Sequence, residues 1–290
     1  MKPPPFAYHR ASSIPEAVRL LSQLENAKLL AGGQSLMAML NLRYLHPDNL
    51  IDINRIPELA GIAVAQGVLR MGAMTRQQAI LASAEVRRVA PIFAEALAHV
   101  GHRQTRNRGT IGGSLCHLDP AAELPALALL HDAMVTVVGP RGERKLAMPA
   151  FIADYMTPAI QHDELVTLIE LPLWAMGHGY GFSEYARRHG DFAIAAAACL
   201  MECAADGRVE RAAIALAGVA ATPIRLTAAE TVLKGQKGGA DVFAKAAAHC
   251  AGIPAIGDVH GSAEYRKKVA AAMVRRALTD AYARATTKNG

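Results

Sequence analysis

The hydrophobic and polar positions of the first 55 residues follow a helical pattern and then two strand patterns. Apolar residues repeat at helical spacing between positions 14 and 24, directly after a Ser13–Glu16 pair that is typical of a capping box. Short apolar runs at 28–31 and 49–53 then predict two buried strands. We therefore expect the chain to begin with one α/β lobe that covers about residues 1–55.

Beyond this lobe the pattern changes to paired strands separated by helices. Apolar runs on both sides of Gln66-Gly67 predict a hairpin, and runs on both sides of 139–142 predict a second one. Helices are predicted from Thr75, as a cap, to residue 81, from 91 to 100 and from 121 to 130, with a further strand at 165–171. These elements predict a second lobe over residues 56–175, so that the first domain covers residues 1–175.

The last third of the chain predicts a smaller domain over residues 178–287. A stretch of small and flexible residues at 175–179 marks the boundary. Strands are predicted at 182–187, 194–203 and 209–216, although the alanine-rich run at 194–203 is also compatible with a helix. Helical stretches follow at 228–233, 241–250 and 263–284. The expected domain is α+β, with a three-stranded antiparallel sheet and helices packed on it.

Composition and charge restrict the classes of function. Hydrophobic residues make up 52% of the chain, but no apolar run is long enough to predict a transmembrane helix. The N-terminus lacks the apolar core of a signal peptide, so a cytoplasmic location is the default expectation. The net charge of +6 is dispersed, which disfavours nucleic-acid binding. The 4 cysteines and 11 histidines show no ligand spacing, so we expect no metal in this chain.

Two glycine-bearing segments carry most of the chemical information. The first glycine segment is Ala31-Gly32-Gly33-Gln34-Ser35-Leu36. The second lies in the run from Arg106 to Leu115 (RNRGTIGGSL), and its glycine-bearing part, Thr110-Ile111-Gly112-Gly113-Ser114, is called the second glycine segment. Glycines permit a close approach of the backbone, so that successive N–H groups can converge on an anion. Each segment alone is more typical of an ordinary turn, and the first matches neither a Rossmann nor a Walker motif. Together they indicate a diphosphate held from two sides, as in a dinucleotide.

These segments also carry a resemblance to a known family. Their order and spacing, the run from His117 to Pro125 and the later segment 184–193 (EYARRHGDFA) resemble the FAD-binding medium subunits of the molybdenum hydroxylases. That family includes the flavoprotein chains of aerobic carbon monoxide dehydrogenase and of bacterial xanthine dehydrogenases. The resemblance covers nearly the whole chain. It implies a two-lobed FAD-binding domain of the PCMH (vanillyl-alcohol oxidase-like) type, followed by a small C-terminal α+β domain.

The resemblance further implies which residues surround the FAD. The first segment would hold the diphosphate with backbone amides and the Ser35 hydroxyl, and the second would form the opposite wall. Glu123 stands where the family usually has Asp and would accept from ribityl or ribose hydroxyls, the alternative being a simple first-turn helix charge. The expected cofactor-binding residues belong to these motifs or lie beside them: Leu29, Leu30, Ala31, Gly32, Gly33, Gln34, Ser35, Leu36, Gly101, Thr110, Ile111, Gly112, Gly113, Ser114, His117, Asp119, Glu123, Val166, Arg187 and Phe192.

The last two of these residues would reach the flavin from the second domain. Phe192 would shield one face of the isoalloxazine, and Arg187, or alternatively Arg188, would place positive charge near the flavin. Asp191 would anchor the segment or pair with an arginine. The alternatives are a core phenylalanine and a surface ion pair.

The function that the resemblance implies is electron transfer by an FAD-carrying subunit without catalytic residues of its own. Electrons would arrive from the [2Fe–2S] clusters of a small partner chain, after oxidation of a substrate at the molybdopterin of a large partner chain. They would leave to NAD, a quinone or oxygen, in a complex that is expected to be a heterohexamer of two such trimers. The apolar stretch of Met37, Met39 and Leu40 is a candidate partner surface, the alternative being that at least two of these residues pack in the core. The alternatives are a stand-alone FAD oxidase of the same fold and a non-enzymatic scaffold.

Overall fold

The computed structural model describes residues 1–287, and its first part forms a small parallel sheet. The elements are β1 (Ala7–Arg10), α1 (Ile14–Gln23), β2 (Ala27–Leu30), α2 (Leu36–Asn41) and β3 (Asn49–Asp52). The strand order is β1-β3-β2, and both pairings are parallel. The predicted helix and both predicted strands are therefore confirmed, whereas β1 and α2 were not predicted.

The start of α1 is capped as predicted, with one shift in partners. The Ser13 hydroxyl accepts a hydrogen bond from the Glu16 amide at 3.3 Å. The Glu16 carboxylate, however, accepts from the amide and the hydroxyl of Ser12, at 2.8 and 2.7 Å, rather than from Ser13. The amides of Ser12 and Glu16, which would otherwise lack acceptors at the helix start, are thereby both hydrogen-bonded.

The middle of the chain alternates strands and short helices. In chain order the elements are β4 (Ile62–Ala65), β5 (Val68–Gly72), α3 (Gln77–Ala82), α4 (Ala84–Val89), α5 (Ile92–His99), α6 (Arg103–Arg108), α7 (Ile111–His117), α8 (Glu123–Leu130), β6 (Met134–Gly139), β7 (Gly142–Ala147), α9 (Met148–Phe151), β8 (Ile152–Asp154), β9 (Thr157–Pro158) and β10 (Leu165–Pro172). Five of the strands form an antiparallel sheet in the order β4-β5-β10-β6-β7. Both predicted hairpins are confirmed.

Two local predictions in this region are wrong. Thr75 does not cap α3, because its hydroxyl bonds the amide and the carbonyl of Gly61, at 3.1 and 2.9 Å. The second glycine segment, whose paired glycines predict a turn or loop, is instead helical. It begins α7, whose cap Thr110 accepts a hydrogen bond from the Gly113 amide at 3.0 Å.

The last part of the chain is an antiparallel sheet covered by helices. It contains β11 (Gly179–Tyr185), β12 (Ala195–Cys203), β13 (Val209–Ala217), β14 (Ile224–Arg225), α10 (Thr227–Leu233), α11 (Ala240–Ala248) and α12 (Ala263–Thr287). The sheet has four strands in the order β11-β12-β13-β14, not the three expected. The added strand has two residues, too few for an alternating pattern to show in the sequence.

The alanine-rich strand β12 joins two hydrophobic cores. Ala196, Ala198 and Leu200 belong to the core that includes α5 and α8, whereas the alternate residues Cys199 and Met201 belong to the core under α12. Both faces of the strand are therefore apolar, which explains why its sequence lacks polar alternation. Within residues 1–287 no helix has the length and apolar character needed to cross a membrane.

Candidate functional site

The first glycine segment lies at the carboxyl end of the parallel sheet, where β2 ends and α2 has not yet begun. Gly33 adopts a φ of +73°, a conformation that favours glycine. In the described chain, the amides of Gly32, Gly33, Gln34 and Ser35 donate to no protein acceptor. Four successive free donors form a cradle that fits an anion such as a phosphate.

The second glycine segment uses its amides differently. The Ile111 amide donates to the Thr75 carbonyl at 3.1 Å, and the Gly112 amide donates to the Ala73 carbonyl at 2.8 Å. The Gly113 amide is occupied by the Thr110 hydroxyl, as described above. These amides are therefore already bonded inside the protein. The segment forms a packed wall rather than a second cradle of free amides.

The two segments are in contact with each other. A Cβ added to Gly32 would lie 2.4 Å from the carbonyl oxygen of Arg108, and one added to Gly113 would lie 3.6 Å from the Ala31 Cβ. A Cβ on Gly112 would meet the Ala73 carbonyl at 2.7 Å. Gly32 and Gly112 are thus required for backbone packing, whereas Gly33 and Gly113 are half-buried beside the cradle.

Other predicted site residues lie around this corner with different degrees of exposure. Leu29 and Leu30 are half-buried in β2. Val166 is a core residue of β10, 3% exposed, and the next residue, Thr167, accepts a hydrogen bond from Ala73 through its carbonyl at 2.9 Å. The backbone of β10 therefore reaches the same residue against which Gly112 packs.

The predicted second-domain segment lies next to Gly101. A Cβ added to Gly190 would lie 3.0 Å from the Gly101 carbonyl oxygen. Phe192 is 73% exposed, so the core-phenylalanine alternative is wrong. Asp191 forms an ion pair with Arg188 at 3.0 Å, which confirms the prediction that it binds an arginine. The hydrogen bond from Arg188 lowers the pKa of Asp191.

Arg187, by contrast, extends toward another loop. Its Nη1 lies 3.1 Å from Nδ1 of His260, and the side chain is exposed. Within residues 1–287 Arg187 forms no ion pair, whereas Arg188 is paired with Asp191. The positive charge of Arg187 is therefore less neutralised by a nearby carboxylate than that of Arg188.

Glu123 is buried at the start of α8 and contacts Glu184 of β11, so it is not a solvated helix charge. Burial is the main cause that raises the pKa of Glu123 to about 8 and that of Glu184 to about 7. The Glu184 Oε1 also lies 3.7 Å from Nδ1 of His99, whose own pKa is lowered by burial and by His189. The contact between Glu123 and Glu184 joins α8 to β11, and burial favours the protonated form of both carboxyl groups.

The turn between α7 and α8 is shaped by His117, Leu118 and Asp119. Leu118 ends α7 with a φ of +53°, and the Asp119 carboxylate accepts a hydrogen bond from the Ala121 amide at 2.8 Å. Burial lowers the pKa of His117 and raises that of the Cys116 thiol to about 12. Cys116 is therefore not an activated nucleophile.

Sequence reasoning missed two residues that connect the glycine segments, Asn54 and Arg76. Asn54 follows β3 at the carboxyl edge of the parallel sheet, beside the end of β2. That position was a signal in the sequence, because ligand sites form at the carboxyl ends of parallel strands. Arg76 carried no comparable signal.

The chain matches two protein-family descriptions and several characterised proteins. Residues 4–174 match the FAD binding domain in molybdopterin dehydrogenase, and residues 180–281 match the CO dehydrogenase flavoprotein C-terminal domain. The chain is 42% identical to the 6-hydroxypseudooxynicotine dehydrogenase complex subunit alpha of Paenarthrobacter nicotinovorans, over 98% of this chain and 97% of that protein. It is 39% identical to the carbon monoxide dehydrogenase medium chain of Hydrogenophaga pseudoflava, over 98% and 99%.

Solved structures agree with the sequence matches. A chain of the carbon monoxide dehydrogenase from Hydrogenophaga pseudoflava superimposes with a TM-score of 0.95 at 40% identity, over 98% of this chain and 99% of that chain. A chain of quinoline 2-oxidoreductase from Pseudomonas putida 86 gives a TM-score of 0.95 at 33% identity, over 99% and 100%. The fold and the FAD cofactor implied by the resemblance are confirmed, apart from the fourth strand of the last sheet. The chain therefore belongs to the FAD-binding medium subunits of the molybdenum hydroxylases, oxidoreductases of the carbon monoxide and xanthine dehydrogenase type.

Proposed function

We propose that this chain transfers electrons from the [2Fe–2S] clusters of a small partner chain to NAD, a quinone or oxygen. When bound, FAD would supply the redox chemistry, since a flavin can take up electrons and pass them on to an acceptor. The observation that carries the proposal is the cradle of free amides at Gly32–Ser35, next to the packed wall of the second glycine segment. The residues of this chain bind and orient the cofactor.

The proposed cofactor site divides its tasks among the predicted residues. The amides of the first glycine segment bind the diphosphate, and the second segment closes the site on the other side. Phe192 and Arg187 approach the flavin from the C-terminal part of the chain. We propose that the chain has two domains, a first domain of two lobes over residues 1–175 and a second domain over residues 178–287. The cofactor would then be bound between them.

The proposed partners are a molybdopterin-binding large chain and a [2Fe–2S] small chain, in a heterohexamer with two copies of each chain. The support is that relatives are named as medium chains or as subunits of dehydrogenase complexes. Relatives act on carbon monoxide, caffeine and nicotine, as their names state, and the substrate of this complex would bind on the large chain. A cytoplasmic location completes the proposal, and the four free cysteines are consistent with a reducing compartment.

The first test concerns the cofactor. We expect the purified chain to be yellow, with a flavin band at about 450 nm. Acid precipitation is expected to release FAD into the supernatant. FMN in the supernatant, or flavin that remains with the pellet, would contradict non-covalent FAD binding.

The second test separates the electron-transfer subunit from the stand-alone oxidase and from the scaffold. The tagged chain is purified from its native host, and the co-purifying chains are assayed for molybdenum and iron. We expect both metals, and reduction of the flavin when a substrate of the large chain is added to the complex. Turnover of an organic substrate by the isolated chain at a comparable rate would establish the oxidase alternative, and a chain without flavin would establish the scaffold.

A further inference from the structure

Asn54 holds the end of β2 directly before the first glycine segment. Its Nδ2 donates to the carbonyl oxygens of Leu30 and Ala31, at 3.2 and 2.9 Å. The same side chain donates to Oδ1 of Asp52 at 2.6 Å, and the Asn54 amide donates to that oxygen at 2.8 Å. The Asn54 side chain is thereby fixed, and its carbonyl oxygen accepts a hydrogen bond from Arg76.

Arg76 joins this asparagine to the chain that leads into the second glycine segment. Its Nη2 donates to Oδ1 of Asn54 and its Nη1 donates to the carbonyl of Arg108, both at 2.5 Å. The same Arg108 carbonyl packs against Gly32, where there is no room for a Cβ. One guanidinium therefore spans the contact between the two segments. Arg76 also adjoins Thr110 through an isolated β-bridge.

The charge of Arg76 is not neutralised by a direct partner. Both hydrogen-bond acceptors of Arg76 are neutral, and within residues 1–287 the guanidinium forms no ion pair. The Asp52 carboxylate attracts it only from a distance, and the charge of Arg108 repels it. An arginine remains charged in such surroundings, because its pKa lies far above neutrality. The site thus combines a half-buried positive charge with the four free amides of Gly32–Ser35.

We propose that Arg76 and Asn54 form a clamp that positions the two glycine segments for the diphosphate of the dinucleotide. The inference rests on the proposed function, since it concerns the same site. Arg76 and Asn54 are positioning residues, because they act on the cradle through the carbonyls of residues 30, 31 and 108. By holding the cradle in place, the clamp affects binding of the diphosphate part of the ligand and not binding of the isoalloxazine ring.

The test compares ligands with and without a diphosphate. The full chain is freed of flavin, and dissociation constants are measured for FAD and riboflavin by flavin fluorescence and for ADP by competition. For Arg76→Met we expect binding of FAD and ADP to weaken by about 10- to 100-fold, as for the loss of a charged hydrogen-bonding group. Binding of riboflavin is expected to change by less than about two-fold. A loss of fold alone would weaken all three ligands together.

Three further variants and a control variant complete the experiment. Asn54→Ala is expected to weaken FAD binding by about 10-fold, and the double variant to lose no more than Arg76→Met does alone, because both residues act in one unit. Arg76→Lys keeps the charge and the stem but cannot reach both acceptors, so we expect a smaller loss. The control is Arg88→Met, which removes an exposed arginine whose ion pair is with Glu85 on the same helix.

The outcomes separate the clamp from the function on which it rests. If the wild-type chain bound neither FAD nor ADP, the proposed function would fail. If the wild type bound FAD while Arg76→Met matched the Arg88→Met control, or lost riboflavin in proportion to FAD, the clamp would be wrong. If Arg76→Met did not fold, Arg76→Lys would decide, and wild-type binding of FAD by that variant would overturn the proposal.

Discussion

Replacing Glu184 by glutamine tests the buried carboxyl contact between the two parts of the chain. The side chain of Glu184 is 2% exposed and contacts Glu123. Burial raises both pKa values above the ordinary value of 4.5, to about 7 for Glu184 and about 8 for Glu123. The other titratable groups that face the pair are His99 and Asp119.

The sign of the pH dependence follows from these shifts. Since the folded chain holds the two protons more tightly than the unfolded chain, their contribution to stability is fully present below about pH 4.5. That contribution is lost as the pH rises through the folded-state values of about 7 and about 8. At alkaline pH the wild-type chain must bury like charges or open the contact between Glu123 and Glu184.

Glutamine keeps the size of Glu184, removes its charge and can donate a hydrogen bond to the Glu123 carboxylate. Above pH 8 we expect Glu184→Gln to stabilise the fold by about 1–3 kcal/mol, which corresponds to a rise in Tm of roughly 2–10 °C. At pH 5, where both wild-type carboxyls are protonated, the change is expected to stay within about 0.5 kcal/mol. Thermal unfolding followed by circular dichroism between pH 5 and pH 9 measures both values.

Glu170→Gln is the matched control, because the same substitution there has the opposite sign. Glu170 pairs with Lys145 at 2.5 Å and Arg70 at 3.1 Å, and the lysine above all lowers its pKa. Its stabilising contribution is present above the ordinary pKa of 4.5 and lost as the pH falls through the lower folded-state value. Glu170→Gln should therefore lower Tm at pH 8. If Glu184→Gln also lowered Tm at pH 8.5, or shifted Tm equally at pH 5 and pH 8.5, the reasoning about the buried pair would be refuted.

Two further predictions concern the cofactor site. Gly112→Ala should lower Tm, because the added Cβ would overlap the backbone of Ala73. Gly33→Ala should mainly weaken FAD binding, because its Cβ would meet only flexible side chains, at 3.2–3.3 Å, even though its positive φ is strained for alanine. Equal effects of the two variants on Tm and on FAD affinity would contradict this division. Phe192→Ala should change the unfolding free energy by less than about 0.5 kcal/mol, because the ring is exposed, but weaken FAD binding by about 0.5–1.5 kcal/mol. Unchanged FAD affinity and an unchanged visible spectrum would remove Phe192 from the site.

The elements with a clear hydrophobic period were predictable from the sequence, and the others depended on distant contacts. The hairpin at Gln66-Gly67 was visible as a local pattern, because two apolar runs flank a glycine-containing turn, and both turn residues adopt a positive φ. Strand β1 has no such pattern, because it is a mostly exposed edge strand whose conformation is set by pairing with β3. The helix α7 contains two glycines near its start, which local propensity disfavours. Its conformation follows from the Thr110 cap and from packing on Ala73.

The candidate site was predictable as a set of motifs, but its internal bonds were not. The sequence brought the two glycine segments together as a hypothesis, and their contact at Ala31 and Gly113 agrees with it. Arg76 was missed because its role depends on two acceptors in separate parts of the chain. The partner of Glu123 was missed for the same reason, since burial of a carboxyl pair is a property of the packed domains.

The pairs of glycines look alike in the sequence, yet their positions in the structure give them different tasks. A backbone amide that already donates at 2.8–3.1 Å, as those of Ile111, Gly112 and Gly113 do, has little capacity left for a phosphate oxygen. The free donors are concentrated in the first segment, and the second segment determines how closely the chain at Arg108 approaches them. Affinity for an anion should therefore depend on the amides of Gly32–Ser35 and on whatever holds the two segments together. That is why a positioning pair outside both motifs is expected to affect binding as strongly as a residue inside them.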